Sequence, residues 1–305
     1  CSALKANTTA SGNTAIGFFA LTANTTGVDN VGVGNSAIGT NTTGQSLTAV
    51  GFKALANTTA SYNDALGSRA LESNTTGAGN VSVGYYSLNT NTTGGYNTAL
   101  GGEALRNNST GDENTAVGAN ALDTNSTGDQ NVAVGFKALD ANTTGEKNVA
   151  VGSLALDANT TGSYNTAIGQ EALTKNTTAS NNTSIGHYSM GSNTTGANNV
   201  AVGYYALDAN TTASDLTAIG TGSLGANTTG SRNSAVGSGA LANNTTGDYN
   251  TACGYESLEA NTTASSNVAV GYKALATTTI GSQNTAVGYY ALTSENTGGD
   301  NTAVG

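Results

Sequence analysis

Few residues of this chain could carry out chemistry, and they do not cluster. His187 is the only histidine among 305 residues, and the two cysteines, Cys1 and Cys253, lie at distant positions. An active site brings several unlike groups together at one place. The sequence shows no zinc-ligand spacing, no calcium-binding nonapeptide and no phosphate-binding loop. We therefore predict that the protein is not an enzyme and has no catalytic residue, metal or cofactor.

The chemistry-bearing residues that do recur are asparagines followed by Thr-Thr or Ser-Thr, which form N-glycosylation sequons. They are Asn7, Asn24, Asn41, Asn57, Asn74, Asn91, Asn108, Asn125, Asn142, Asn159, Asn176, Asn193, Asn210, Asn227, Asn244 and Asn261. Stacked about 4.8 Å apart, these residues would leave no room for a sugar on each. We predict that from Asn24 onward they form an inward row hydrogen-bonded from coil to coil, with partial glycosylation as the alternative.

Composition restricts the classes of function further. Charged residues make up 9% of the chain and the formal net charge is −10. Nine Lys and Arg cannot build the basic surface that nucleic-acid binding needs. No stretch approaches 18 apolar residues, so we expect neither a membrane span nor a signal peptide.

A repeat in register along the chain must position all of these residues. The unit reads N-[TV]-A-[VIL]-G-x-x-A-L-x-x-N-T-T-G-x-x, beginning with position 1 at Asn13 and recurring through Asn301. Every interval is 17 residues except the one from Leu47 to Asn63, which is 16. This period is too short for helix-pair solenoids, and Gly and Thr disfavour helices. We predict an all-β fold, a β-solenoid (β-roll) of about eighteen 17-residue coils, forming one domain over residues 1–305 without distinct caps.

The repeat positions carry separate structural predictions. Position 5 is always Gly, which predicts a corner with positive φ or with no space for a Cβ. The representative corner glycines are Gly17, Gly118, Gly135, Gly152, Gly203, Gly271 and Gly288. Positions 4 and 9 are apolar and predict the core, with position 14 and the position-12 asparagines also pointing inward. Cys253, at position 4, is then a small buried hydrophobe, and His187, at variable position 6, lies on the surface.

Alternation along a strand places positions 3 and 4 on opposite sides. Position 3 is almost always Ala, and with position 4 inside we predict that this alanine row packs laterally against a second chain. The row is represented by Ala116, Ala133, Ala150, Ala167 and Ala201. The variable positions 6, 7 and 17 carry the aromatic residues, which we interpret as a self-packing surface, with glycan or cell-surface binding as the alternative.

The two ends of the sequence also match in phase, since Gly305 at position 5 would be followed by Cys1 at position 6. We expect chains to stack end to end, each completing its neighbour's coil, because strand edges without caps are open to pairing. The alternative to end-to-end stacking is that the sequence is an ordered piece of a longer repetitive chain.

The unit N-T-A-V-G-Y-x-A-L-x-x-N-T-T-G, seen at Asn199–Gly203 with Tyr204, resembles the head repeats of trimeric autotransporter adhesins and related phage tail-fibre β-roll repeats. The resemblance implies a left-handed β-roll, packing of chains side by side, and a head that binds host matrix or cell surfaces.

From these observations we predict that the protein is a structural subunit of an extracellular fibre or filament at the cell surface. In one version of this hypothesis the fibre is adhesive. Its main partner is a second copy of itself. The alternatives are the shaft of a phage tail fibre, which places the chain on a virion, and an ice-binding β-solenoid. The last would use the position-13 threonines, and we expect only one outward threonine rank because position 14 points inward.

Overall fold

The computed structural model describes residues 2–294 and 297–305 of the chain. Its internal contacts divide the chain into two compact units, Cys1–Ser153 and Leu154–Gly305, and each is described by itself. Both units are stacks of β-solenoid coils, and the part of the chain that the structure describes contains no helix. The predicted all-β solenoid is therefore confirmed, while the continuous single domain and the left-handed winding stay predictions.

The first unit contains nine three-residue strands, one in each coil. They are β1 (Thr14–Ile16), β2 (Val31–Val33), β3 (Thr48–Val50), β4 (Asp64–Leu66), β5 (Val81–Val83), β6 (Thr98–Leu100), β7 (Thr115–Val117), β8 (Val132–Val134) and β9 (Val149–Val151). Consecutive strands pair in parallel and in register, so that Ala99 pairs with Ala116 and Ala116 with Ala133. Each strand residue therefore lies directly over its equivalent in the next coil.

The second unit has the same construction. Its strands are β10 (Thr166–Ile168), β11 (Thr183–Ile185), β12 (Val200–Val202), β13 (Thr217–Ile219), β14 (Ser234–Val236), β15 (Thr251–Cys253), β16 (Val268–Val270), β17 (Thr285–Val287) and β18 (Thr302–Val304). These strands also pair in parallel from each coil to the next.

Leucine at position 9 and alanine at positions 3 and 8 fill the interior of each coil. Leu105, Leu122, Ala104 and Ala116 have no exposed surface. At Gly32, which occupies position 3, an added Cβ would lie 3.3 Å from Leu21 Cγ. The leucine therefore packs directly on the position-3 side chain. The space between them accepts a methyl group and excludes anything much larger.

The sequence-based assignment of the two strand faces was wrong. Ala116, Ala133, Ala150, Ala167 and Ala201 are completely buried inside their own coils and do not form a lateral surface. Position 4, predicted as core, points outward instead: Leu66 is 51% exposed and Ile168 is 39% exposed. The reason is steric, because the large leucine across the coil leaves room only for the small member of each Ala-Val pair.

Close stacking explains the glycine at position 5. Gly17, Gly118, Gly135, Gly152, Gly203, Gly271 and Gly288 have φ between +127° and +140°. A Cβ built on Gly118 would lie 2.6 Å from the carbonyl oxygen of Gly135 in the next coil. Both the dihedral and the approach of the neighbouring backbone exclude a side chain at this corner, which agrees with the predicted reasons.

The corners also contain left-handed residues that the sequence did not reveal. Residues at positions 7, 9 and 17 have positive φ although most carry side chains, for example Tyr86 (54°), Leu88 (50°) and Tyr96 (58°). This conformation costs about 1 kcal/mol or more for each such residue. It turns the N–H toward an adjacent coil, where Tyr86 donates to Ser68 O at 3.1 Å and Leu88 to Ala104 O at 2.9 Å. Hydrogen bonding between coils offsets the local strain.

Candidate functional site

The position-4 side chains form an outward apolar row in each unit. Its exposed members are Ile16, Leu66 and Leu100 in the first unit and Ile168, Ile185, Ile219, Val236, Val270, Val287 and Val304 in the second. Cys253 stands in the same row and is an exposed free thiol, so its predicted burial was wrong. The alternation along the strands that buries Ala252 turns the neighbouring Cys253 outward.

Aromatic side chains lie beside this row at positions 6 and 7. Tyr272 stacks on Tyr255 and on Tyr289, with ring centroids 5.4 and 5.2 Å apart. Tyr188 stacks on Tyr205 of the next coil in the same way, at 5.4 Å. Such contacts fix the exposed rings in regular columns, because the in-register coils hold each ring over the next. Together, the outward strand side chains and the aromatic columns form what we call the strand face.

His187 belongs to one of these aromatic columns. Its ring is partly exposed and stacks on Tyr204 at 5.6 Å, next to Tyr188 at 5.2 Å. Glu171 accepts a hydrogen bond from the Tyr188 hydroxyl and thereby raises the pKa of that tyrosine. Within residues 2–294 and 297–305, no three His, Cys, Asp or Glu side chains come close enough to hold a metal ion.

Charged side chains pair with one another along the corners. Arg106 contacts Glu103 at 2.9 Å and Asp123 at 3.1 Å, and Lys273 contacts Glu256 at 2.8 Å. Burial raises the pKa of Asp123, against the opposing effect of Arg106. A hydrogen bond from Lys273 is the main cause of the lowered pKa of Glu256. These ion pairs lie at the corners of the coils, whereas Asp64 is exposed on the outward face of β4 beside Leu66.

The predicted asparagine row lies inside the solenoid coils, with one exception. Buried members are Asn24, Asn41, Asn74, Asn91, Asn108, Asn125, Asn142, Asn159, Asn176, Asn193, Asn210, Asn227, Asn244 and Asn261. Asn108 donates through Nδ2 to Asn91 Oδ1 of the preceding coil and to Gly111 O of its own coil, both at 2.9 Å. Asn97, at position 1, donates to the same Gly111 oxygen at 2.9 Å. Two asparagines thus bind one carbonyl in each coil and connect it to its neighbour.

Asn57 is the exception, and its placement in the row was wrong. The missing residue of the 16-residue interval shifts the chain, so that Asn57 is exposed and Thr58 is buried in the row. Thr58 Oγ1 accepts a hydrogen bond from Asn74 Nδ2 at 3.2 Å. The buried sequon asparagines have no space for a sugar, so Asn57 and the partly buried Asn7 are the accessible members of this set. Two units have another residue in place of this asparagine: Thr278 is buried, and Glu295 lies outside the described residues.

Two adjacent threonine ranks follow the asparagine row on the outside of each coil. The position-13 threonines are largely half-buried, and their hydroxyls donate to the next coil, as Thr92 does to Ser109 O at 2.9 Å. Position 14 is exposed, as at Thr93 and Thr110, and Ile280 there is 57% exposed. The predicted inward orientation of position 14 was therefore wrong. Because residues 13 and 14 lie in a bend and not in a strand, strict alternation does not apply to them.

Comparisons with known proteins add no identity to this geometry. No protein-family model matches the chain, and a search of curated proteins finds no match either. Among the described residues, no helix has the length and apolar character needed to cross a membrane. The resemblance to adhesin head repeats therefore rests on the repeat unit, and the functional argument rests on the exposed rows.

The asparagine row predicts a specific loss of stability. Replacing Asn108 with Ala leaves Asn91 Oδ1 buried without the hydrogen bond from Asn108, and it removes an acceptor from Asn125. We expect Asn108→Ala to lower the free energy of unfolding by about 2–3 kcal/mol. The matched control is Asn57→Ala, which should change it by less than about 0.5 kcal/mol because that side chain is exposed. Urea unfolding followed by circular dichroism checks both values, and equal effects of the two substitutions would contradict the asparagine row.

Proposed function

We propose that the protein is a self-associating structural subunit of an extracellular fibre, and that the strand face is the surface through which its chains pack side by side. The observation that carries this proposal is the outward apolar row, with Leu66 at 51% exposure and Ile219 at 40%. Soluble proteins rarely leave large continuous apolar surfaces in water, and such surfaces mark sites of association. On this side of the strands, position 4 adds an apolar side chain or Cys253 in every coil, beside the Thr, Val, Ser or Asp of position 2.

The periodicity of the row favours a second copy of the chain as the partner. Equivalent side chains recur once per coil, about 4.8 Å apart along each unit. A partner that covers the row along its length needs apolar groups with the same spacing, and another copy of the chain supplies them. The aromatic columns beside the row offer rigid rings, which are enriched in protein interfaces.

The corner ion pairs support this assignment. Arg106, Glu103 and Asp123 satisfy one another at positions 7 and 10, away from the position-4 side chains. Burying charges without partners would oppose association. Lateral packing does not require this of Arg106, Glu103 and Asp123, because they are paired with one another. End-to-end stacking, a virion location and the extracellular setting itself remain predictions from the sequence.

Glutamates on the strand face should prevent lateral association. The test variant is Leu66→Glu/Leu100→Glu/Val134→Glu, and the matched control places the same charges on the threonine rank, as Thr76→Glu/Thr110→Glu/Thr144→Glu. We expect the strand-face variant to weaken association on the order of 100-fold or more through like-charge repulsion and burial of charge. Light scattering coupled to size-exclusion chromatography should then show the 29.9 kDa monomer, while the control assembles like the original chain. A monomeric original chain, or a strand-face variant that assembles normally, would refute lateral packing through this face.

Ice binding is the second candidate, and the two accessible threonine ranks favour it. The hydroxyl of a position-13 threonine is held by a coil-to-coil hydrogen bond, as at Thr245, which donates to Thr262 O at 2.9 Å. Beside it, position 14 presents a second rank of exposed threonines such as Thr246 and Thr263. A regular, rigid array of hydroxyl and methyl groups can order water at its surface.

Thermal hysteresis of the purified protein tests this candidate. If the threonine ranks bind ice, the chain should separate the melting and freezing points of its solution. The Thr76→Glu/Thr110→Glu/Thr144→Glu variant should reduce that gap, and the strand-face variant should retain it. A solution of the original chain without hysteresis would eliminate ice binding and leave the structural role unaffected.

A further inference from the structure

A groove in the first unit interrupts the repetition of the surface. It has a volume of about 420 Å³ and is lined at positions 7, 10 and 11 of successive coils. The residues that line it include Phe19, Gly39, Lys53, Ala56, Asn57 and Glu72. The groove lies on the corners of the coils and includes none of the position-4 side chains of the strand face. Phe19, at position 7, is the one lining residue that belongs to the aromatic columns, so a site at this place lies at the edge of the strand face.

Two small residues and the 16-residue interval create the groove. Position 10 carries Asp123, Asp140 or Asn89 in several other coils, but here it carries Gly39 and Ala56 in consecutive coils. The same pair recurs at Gly225 and Ala242, where no 16-residue interval accompanies it. The floor of the groove is therefore formed by two positions without a large side chain, with Thr22 on one side and Glu72 on the other. The missing residue of the same coil turns Asn57 outward at the groove edge, where its side chain is exposed. The repeat thus departs from its pattern twice within one small region.

The groove combines one apolar wall with donors and acceptors. Phe19 is 42% exposed and is held against Phe18 with ring centroids 4.0 Å apart. Opposite it, Lys53 Nζ and Glu72 Oε1 form an ion pair at 3.2 Å, and Glu72 is held from its other oxygen by Arg69 at 3.5 Å. The Asn57 amide supplies a further donor and acceptor. The hydroxyls of Thr22 and Thr40 already donate to backbone oxygens, so they face a ligand as acceptors.

We propose that this groove binds a neutral hexopyranose unit of a glycan. A sugar ring presents an apolar C–H face, which suits the Phe19 ring, and hydroxyls that donate to one group and accept from another. Of two adjacent hydroxyls on one ring, one can accept a hydrogen bond from Lys53 while the other donates a hydrogen bond to Glu72. Both bonds can form while the two side chains remain paired. Lys53 is the cation among the residues that line the groove, and it pairs with Glu72, which Arg69 also contacts from outside the lining, so Lys53 is not free to bind a carboxylated sugar. The volume accommodates one sugar ring with room for its linkage to the next.

The proposal deepens the adhesive version of the proposed function, but its test is separate from the test of assembly. The probes are the methyl glycosides of glucose, galactose and mannose, compared with glucuronic acid and N-acetylneuraminic acid. Saturation-transfer NMR and titration with the full chain should give a dissociation constant on the order of millimolar for at least one neutral glycoside, as expected for so small a ligand.

Two variants locate the binding in the groove. Gly39→Asn fills its floor with a residue that the repeat accepts at position 10, as Asn89 shows, and the matched control Gly225→Asn makes the same change at position 10 of the second unit. Phe19→Ala removes the apolar wall by trimming an exposed ring, which leaves the interior of the coil unchanged. We expect Gly39→Asn and Phe19→Ala each to weaken binding about tenfold or more, and Gly225→Asn to leave it unchanged.

Three results would overturn the proposal. The first is that no neutral glycoside binds saturably up to about 50 mM, which is well beyond the expected millimolar range. The others are stronger binding of the acidic sugars and equal binding by the chain with and without Phe19→Ala. Circular dichroism of each variant checks its folding, and Phe19→Ala keeps the test decisive if Gly39→Asn does not fold. Light scattering of the same samples distinguishes loss of sugar binding from loss of assembly.

Discussion

The close stacking of backbone on backbone is the constraint on which the rest of each unit depends. At the position-5 corner, a Cβ on Gly135 would lie 2.6 Å from the carbonyl oxygen of Gly152. At that distance no side chain fits, and the strand residues pair directly with their equivalents in the next coil. Asn108 and Asn97 extend the same stacking to the interior, where both donate to one carbonyl oxygen. The hydrogen bonds between coils replace the large hydrophobic core that so narrow a coil cannot contain.

In-register stacking also determines what the surface can be. Any outward side chain that recurs in the repeat becomes a continuous row, whether it is apolar at position 4, aromatic at position 6 or hydroxylic at position 14. Such a row can extend one interaction along a whole unit, but it does not form a binding site that differs from one coil to the next. This is why assembly with a second repetitive chain suits the strand face. The groove near Asn57 is different because it arises where the repeat loses a residue.

The sequence was sufficient to predict the solenoid, the corner glycines and the interior asparagines, since each follows from strict recurrence. It was not sufficient to decide which strand face is inside. Alternation requires only that Ala116 and Val117 lie on opposite sides, and the larger residue was wrongly taken as the core. Whether position 3 or position 4 is buried depends on the space that the leucine across the coil leaves in the interior. That space is known only from the folded chain. Position 14 was misassigned for a related reason, since the alternation rule was applied to a bend.

Two further features had no clear signal in the sequence. Leucine rarely adopts positive φ, yet Leu88 and Leu105 do so because their N–H groups bond to adjacent coils. The 16-residue interval indicates a missing residue near Asn57 but not where the chain shifts. The exposure of Asn57 and the hydrogen bond from Asn74 to Thr58 show that the shift precedes the buried row. The groove depends on this shift together with the small residues Gly39 and Ala56. Its position therefore became visible only from the packing of neighbouring coils.

The orientation of the strands is the central claim, and thiol labelling tests it most directly. Single cysteines at Ala116→Cys and Val117→Cys would be compared after Cys1 and Cys253 are replaced by Ser, in the chain kept dissociated by the strand-face glutamates. A serine at Ser82 shows that position 3 accepts a side chain of this size. The account predicts that a maleimide reagent labels the cysteine at position 117 rapidly in the folded chain, and the one at position 116 only after unfolding in urea. Rapid labelling at position 116 with protection at position 117 would contradict it.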